Sequence, residues 1–213
     1  MLRIGILAST KATDMQAVID AINSKKLNAE ISVVISNKEN AFALERARQN
    51  KIKAVFIDAK GKDREQYDKE IAKEIDSDKA DLILLVGYMR ILSEWFVRKY
   101  KNRIMNIHPS LLPAFAGGMD KDVHQQVLDY GCKVTGCTLH FVDESVDTGP
   151  IISQKAVEIE ESDTVDSLKE KVQKAEQEVL VRAITLFEKG KLKIDGKRVR
   201  ILDDKEVENK KLA

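Results

Sequence analysis

Cysteine, histidine and proline are scarce in this sequence, and each scarcity excludes a class of protein. The two cysteines, Cys132 and Cys137, are too few and too loosely spaced for a disulfide framework or a CxxC redox or zinc pair, which leaves reduced, partly buried thiols. No apolar run approaches the length of a membrane span, and MLRIGILAS is interrupted by Lys11 and Asp14 too soon for a signal peptide. The expected location is the cytoplasm. Charge of either sign is not in excess: 36 Lys+Arg against 35 Asp+Glu leave a net charge of +1, so no basic field points to nucleic acid or a membrane surface. No Gly-x-Gly-x-x-Gly fingerprint is present, which removes the dinucleotide signature. Small-molecule partners are what remains, and a homodimer is left open. With 213 residues, 43% hydrophobic and 33% charged, the chain reads as one globular domain over residues 1–202, followed by a charged, mobile tail over 203–213.

The three histidines and three prolines all fall between His108 and Pro150. Upstream, apolar runs of strand length alternate with amphipathic stretches. Leu2–Ala8, Glu30–Ser36, Ala54–Asp58, Asp81–Gly87 and Arg103–Ile107 read as strands, and Met15–Ile22, Ala41–Gln49, Arg64–Ile75 and Ser93–Tyr100 as helices. Thr13 or Asp14 is the expected cap of the first helix. Such alternation implies right-handed crossovers and an α/β, Rossmann-like, mostly parallel sheet with helices on both faces. Beyond Pro113, Val123–Tyr130 reads as a helix, and Thr135–Val142 and Ile151–Ile159 as antiparallel strands. A long helical pattern covers Ser162–Glu188, and a hairpin spans Lys191–Leu202 around Asp195-Gly196.

Ligands of such sheets bind beyond the carboxyl ends of the strands. The loops Ser9–Asp14, Gly61–Arg64, Gly87–Leu92 and Asn106–Pro113 are therefore expected along one edge. Asn106 and His108, two apart on an extended segment, point to one side. Histidine exchanges a proton near neutral pH, and an Asn amide can stabilise an oxyanion without titrating. With one of Asp143, Glu144 or Asp147 to orient the imidazole, they could form an acyl-transfer site without a protein nucleophile. Ser110 lacks the glycine-flanked nucleophile elbow. His124 reads as a surface histidine, and His140 as facing the crevice or solvent. A metal set from His108, His140 and Asp147 lacks close ligand spacing, so no metal is expected. The first loop could cradle a phosphate through backbone amides at a helix start.

Three segments carry a resemblance: Gly87-Tyr88-Met89-Arg90-Ile91-Leu92, NIHPSLLP from Asn106, and TGCTLHFVDESVDTGPII from Thr135. Together they resemble the folate-dependent glycinamide ribonucleotide formyltransferases of purine synthesis, over roughly Met1 to Leu192. The last two segments are also similar to motifs of methionyl-tRNA formyltransferase and formyltetrahydrofolate deformylase. Ser36-Asn37-Lys38, Leu44-Glu45-Arg46-Ala47 and Arg64 are set as in the glycinamide enzymes. The resemblance implies Asn106, His108 and Asp147 as the catalytic group, with protonated His108 and Asn106 stabilising the oxyanion and Asp147 raising the basicity of His108. It implies that Met89, Arg90, Ile91, Leu92, Val97, Asp143 and Glu144 bind 10-formyltetrahydrofolate. It also implies that Ala12, Thr13, Asp14, Arg64, Gly87 and Glu176 contact glycinamide ribonucleotide, the first three at its phosphate.

Two stretches depart from the family pattern. Its phosphate loop usually reads Ser-Gly-x-Gly-Ser-Asn, whereas this chain has Ser9-Thr10-Lys11-Ala12-Thr13-Asp14. A positive φ would be costly at Thr10 or Ala12, and Asp14 sets a carboxylate near a phosphate, with Lys11 to compensate. Phe115–Asp120 is longer than the family's Tyr-Pro-Gly-Leu-His stretch and lacks its histidine.

Overall fold

The computed structural model describes residues 1–118 and 120–212. Its centre is a nine-stranded sheet in the order β3-β2-β1-β4-β5-β6-β7-β9-β8. The strands are β1 (Leu2–Leu7), β2 (Ala29–Ser36), β3 (Ala54–Phe56), β4 (Leu82–Leu85), β5 (Ile104–His108), β6 (Val134–Phe141), β7 (Ile151–Glu158), β8 (Leu192–Asp195) and β9 (Arg198–Ile201). The first five run parallel. β6 is antiparallel to β5, and β7 to β6. The hairpin of β8 and β9 turns at Gly196 and Lys197 and meets β7 through the Ile151↔Arg198 pair. The expected antiparallel C-terminal strands and hairpin are thus present.

Both faces of the sheet are covered, and β4, at LILL, is apolar and buried at every position. In β4, Leu82 and Leu84 enter one core while Ile83 and Leu85 enter the other, as the period-two alternation of a strand requires. The first core is closed by α1 (Thr13–Asn23), α2 (Phe42–Gln49), α5 (Asp120–Asp129) and α6 (Val165–Glu188); the second is closed by α3 (Arg64–Ser77) and α4 (Glu94–Lys99). The α6 stripe Leu168, Val172, Ala175, Val179, Leu180, Ala183 and Ile184 is the buried face of an amphipathic helix.

Strand order decides which loops meet. From β1 the chain moves outward to β2 and β3, then returns to β4 on the other side of β1, so the order reverses between β1 and β4. The loops after these strands diverge there and open a crevice. β3 lies at the far edge of the sheet and runs parallel to its neighbours, so its following loop, Gly61–Arg64, shares the expected sheet edge but is not among the residues lining the crevice.

Two local expectations give way. The first helix is capped by Ala12, in a left-handed conformation with no side-chain cap, instead of by Thr13 or Asp14. Where a mobile tail was expected, Asp204–Leu212 forms a helix, α7, with Val207 buried and Arg200 Nη2 donating to Glu206 Oε1 at 3.0 Å.

Candidate active site

The crevice is a cleft of about 940 Å³, large enough for two small molecules side by side. It is lined by Thr10–Asp14, Gly87 and Glu176, by Met89–Leu92, Val97 and the Asp143–Asp147 loop, and by Asn106, His108 and His140. Every residue expected at the catalytic and folate positions lines it, as do Ala12, Thr13, Asp14, Gly87 and Glu176. Arg64 does not: it is exposed at the start of α3.

β5 delivers the central pair. Its alternation turns Asn106 and His108 to the cleft, and pairing with β6 sets His140 opposite Asn106 and Thr138 opposite His108. The loop after β6 brings Asp147 over both, with φ 55, a left-handed conformation that Asp tolerates better than most residues. Its carboxylate is shared. Oδ2 lies 3.3 Å from His108 Nε2 and accepts from the Gly117 amide at 2.9 Å. Oδ1 lies 3.6 Å from His140 Nε2 and 3.4 Å from Asn106 Nδ2. Burial alone would raise the Asp147 carboxyl, but the His140 contact, the Gly117 amide and the two imidazole charges outweigh it and hold Asp147 below the usual carboxylate range.

The proton positions on both imidazoles follow from their partners. His140 Nδ1 is 2.8 Å from the Phe141 carbonyl, which can only accept, so this nitrogen carries hydrogen and neutral His140 offers Nε2 to Asn106 Nδ2 at 3.2 Å. His108 Nδ1 lies 3.0 Å from Ser110 Oγ, while Nε2 has no partner of hydrogen-bond geometry. Burial pushes His108 below the ordinary imidazole range; the Asp147 charge and the Gly118 backbone oppose this, and the His140 charge adds to it. The expected effect of Asp147 on His108 is therefore present, but burial exceeds it. A neutral imidazole with a free Nε2 beside a carboxylate can take a proton and stabilise the charge it acquires. Among the described residues, no group of three His, Cys, Asp or Glu side chains is arranged to hold a metal ion.

The Asp143–Asp147 loop is held from three directions. Lys197, in the turn of the β8–β9 hairpin, donates to Asp143 Oδ2 and to the Thr148 carbonyl, both at 2.7 Å. Arg98 of α4 grips both oxygens of Glu144 at 2.7 and 3.0 Å, and the Gly117 amide holds Asp147. Above this loop Met89, Ile91 and Val146 keep exposed apolar side chains, a surface suited to a flat ring. Gly117 belongs to the divergent Phe115–Asp120 stretch, of which Met119 lies outside the described residues.

The loops after β1, β2 and β4 are tied together at Ser9, whose Oγ donates to Asn37 Oδ1 at 2.6 Å and accepts from the Met89 amide at 2.9 Å. Gly87 has φ 59, and a Cβ there would collide with Thr10 Oγ1, so only glycine fits. Ala12 adopts φ 46 and ψ 55, the glycine-like conformation that sequence alone marks as costly, and α1 begins at the cleft lining without a side-chain cap. Asp14 and Glu176 are buried near Cys137, whose thiol is pushed up to about 12 by burial first and by those two carboxylates next, so it stays protonated.

Of the two places the sequence allows His140, crevice or solvent, the structure takes the crevice, through the β5–β6 register. Ser110, which the sequence offers only as a nucleophile without an elbow, is fully buried against His108, and no local signal marks that contact.

Residues 2–184 match the family described as Formyl transferase. The chain is 39% identical over 206 residues to the phosphoribosylglycinamide formyltransferase of Escherichia coli (strain K12), covering 93% of this chain and 96% of that one. It is 41% identical over 200 residues to the trifunctional purine biosynthetic protein adenosine-3 of Bos taurus, covering 93% of this chain but only 19% of that larger protein. The crystal structure of glycinamide ribonucleotide transformylase 1 from Symbiobacterium toebii superposes with a TM-score of 0.91 at 42% identity, covering 95% of both chains.

Proposed function

The chain belongs to the formyl transferase family, and we propose that it transfers the formyl group of 10-formyltetrahydrofolate to the amine of 5'-phosphoribosylglycinamide, a step of purine biosynthesis. The observation that carries this reading is the convergence of Asn106, His108 and Asp147 in one cleft, lined also by exposed apolar side chains and by the start of α1. Met89–Leu92, Val97, Asp143 and Glu144 take the pterin of the folate against an apolar wall. Ala12, Thr13, Asp14, Gly87 and Glu176 take the ribonucleotide, with the open amides of α1 toward its phosphate and Lys11 supplying positive charge.

His108 accepts a proton from the attacking amine on Nε2, and Asp147 Oδ2, 3.3 Å away, stabilises the imidazolium. Asn106 supplies an amide hydrogen to the oxygen on which negative charge gathers. Its long 3.4 Å contact with Asp147 is the one given up. His140 holds the second hydrogen of that amide and so fixes its plane. His108 then returns the proton to the departing folate nitrogen, so the base that opens the reaction is the acid that ends it.

The deciding experiment incubates the protein with 10-formyltetrahydrofolate, with and without the ribonucleotide, and follows loss of the formyl group. Loss that requires the ribonucleotide and yields its formylated product is expected. Equal loss in its absence would mean that water is the acceptor, and the assignment would fail.

A further inference from the structure

Ser110 is fully buried behind His108, two residues along the same turn, and its hydroxyl has two polar neighbours. Oγ lies 2.5 Å from the Ala114 carbonyl and 3.0 Å from His108 Nδ1. A hydroxyl has one hydrogen, and a carbonyl oxygen can only accept. The shorter contact therefore takes the Ser110 hydrogen, and the longer one must be His108 Nδ1–H donating to Ser110 Oγ.

We infer that Ser110 is a positioning residue that fixes the tautomer of His108, keeping hydrogen on Nδ1 and the lone pair of neutral His108 on Nε2, the buried nitrogen that faces Asp147. Without it, the neutral imidazole would favour the opposite tautomer. Hydrogen would sit on Nε2, beside the Asp147 carboxylate 3.3 Å away, and leave no lone pair for the substrate amine. Ser110 makes this choice unavailable, so Asp147 can stabilise the imidazolium without drawing a proton onto neutral His108.

The serine is itself held in place. Its carbonyl accepts from Thr138 Oγ1 at 2.7 Å, and Thr138 in turn accepts from the Leu112 amide at 3.0 Å and from Gln154 Nε2 at 2.9 Å. Thr138 and Gln154 are paired across β6 and β7, so the turn carrying Ser110 is fastened to two strands of the sheet. A serine serving only to satisfy the Ala114 carbonyl would need no such alignment with the imidazole.

The functional part of this inference rests on the proposed role of His108 as proton acceptor; the tautomer itself does not. With histidine labelled in its ring nitrogens, nitrogen NMR of the substrate-free native protein at alkaline pH should show His108 Nδ1 as the hydrogen-bearing nitrogen and Nε2 as the bare one. With only three histidines in the chain, His108→Ala identifies the signals by subtraction. In Ser110→Ala the two nitrogens should exchange character, kcat should fall about tenfold, as expected for losing one hydrogen-bond arrangement, and KM should stay within about twofold. Ser110→Cys, which keeps a weak acceptor, should recover part of both effects. Hydrogen on Nε2 in the native protein would overturn the inference, as would a Ser110→Ala protein with native nitrogen signals and native kcat. Normal turnover in His108→Ala would overturn the catalytic reading instead while leaving the tautomer as measured.

Discussion

Two regions of the cleft are built on different principles. At the reaction end, side chains hold side chains: Asn106, His108, His140, Asp147 and Ser110 form a continuous set of contacts between 3.0 and 3.6 Å, and each group's protonation depends on the next. At the proposed ribonucleotide end, the lining is mostly main chain, formed by the uncapped start of α1, left-handed Ala12 and Gly87 pressed against Thr10. The first kind of site tolerates almost no change of residue type, because a proton's position depends on each partner. The second tolerates many, provided the backbone keeps its path. Ser9–Asp14 shows this tolerance: it holds no glycine yet makes a left-handed turn at Ala12.

The comparison is tested most directly at His108. His108→Ala removes the proton acceptor and should lower kcat by about 10²–10⁴ with an unchanged circular dichroism spectrum; near-normal steady-state turnover would end the assignment. Asp147→Asn keeps the shape but removes the charge that stabilises the imidazolium. One to two pKa units of lost support correspond to roughly 10- to 100-fold in kcat, with little change in KM for the ribonucleotide at the opposite end. A comparable rise in that KM would show that the two ends are not independent.

At the ribonucleotide end the expected effects are smaller. Ala12→Gly relieves a left-handed alanine, worth about 1–2 kcal/mol, against the greater unfolded-state freedom of glycine, about 0.5–1 kcal/mol. The net should be a gain of about 0.5 kcal/mol in a denaturant midpoint, with kcat unaltered. Destabilisation by this change would show that the alanine methyl, buried in the first core, contributes more than its backbone strain costs.

How much of this was legible in the sequence follows the same division. The β/α alternation and the grouping of Asn106 with His108 are written in local periodicity, so the fold class and the turning of these two side chains to one side could be read directly. How far Arg64 stands from the other cleft residues depends on strand order, with β3 at the sheet edge, and no local pattern carries that. The place of His140 and the contact of Ser110 depend on cross-strand register and on which atom owns a proton. The cap of α1 was missed because Ala12 adopts a conformation its side chain disfavours, and α7 because its charged sequence has almost no amphipathic pattern to announce a helix.

The smallest effect separates the two ends by pH. His108 binds a proton less readily in the folded protein than in the unfolded chain. As pH falls below the ordinary imidazole value of 6.5, the unfolded state takes up a proton that the folded state refuses, so stability declines until the lower folded pKa is passed. Asp147 acts lower on the scale. Its depressed pKa contributes stability above the ordinary carboxyl value of 3.8, and that contribution is lost as pH falls through the folded value. Acid should therefore destabilise the protein in two stages, the upper belonging to His108 and the lower shared by Asp147 with other depressed carboxyls such as Asp143. Urea midpoints measured from pH 8 to pH 5 should fall in the native protein and in Ala12→Gly alike, and should stay nearly level in His108→Ala. An unchanged slope in His108→Ala would place the upper stage on another group, and the reaction end would lose its claim to be where protonation and folding meet.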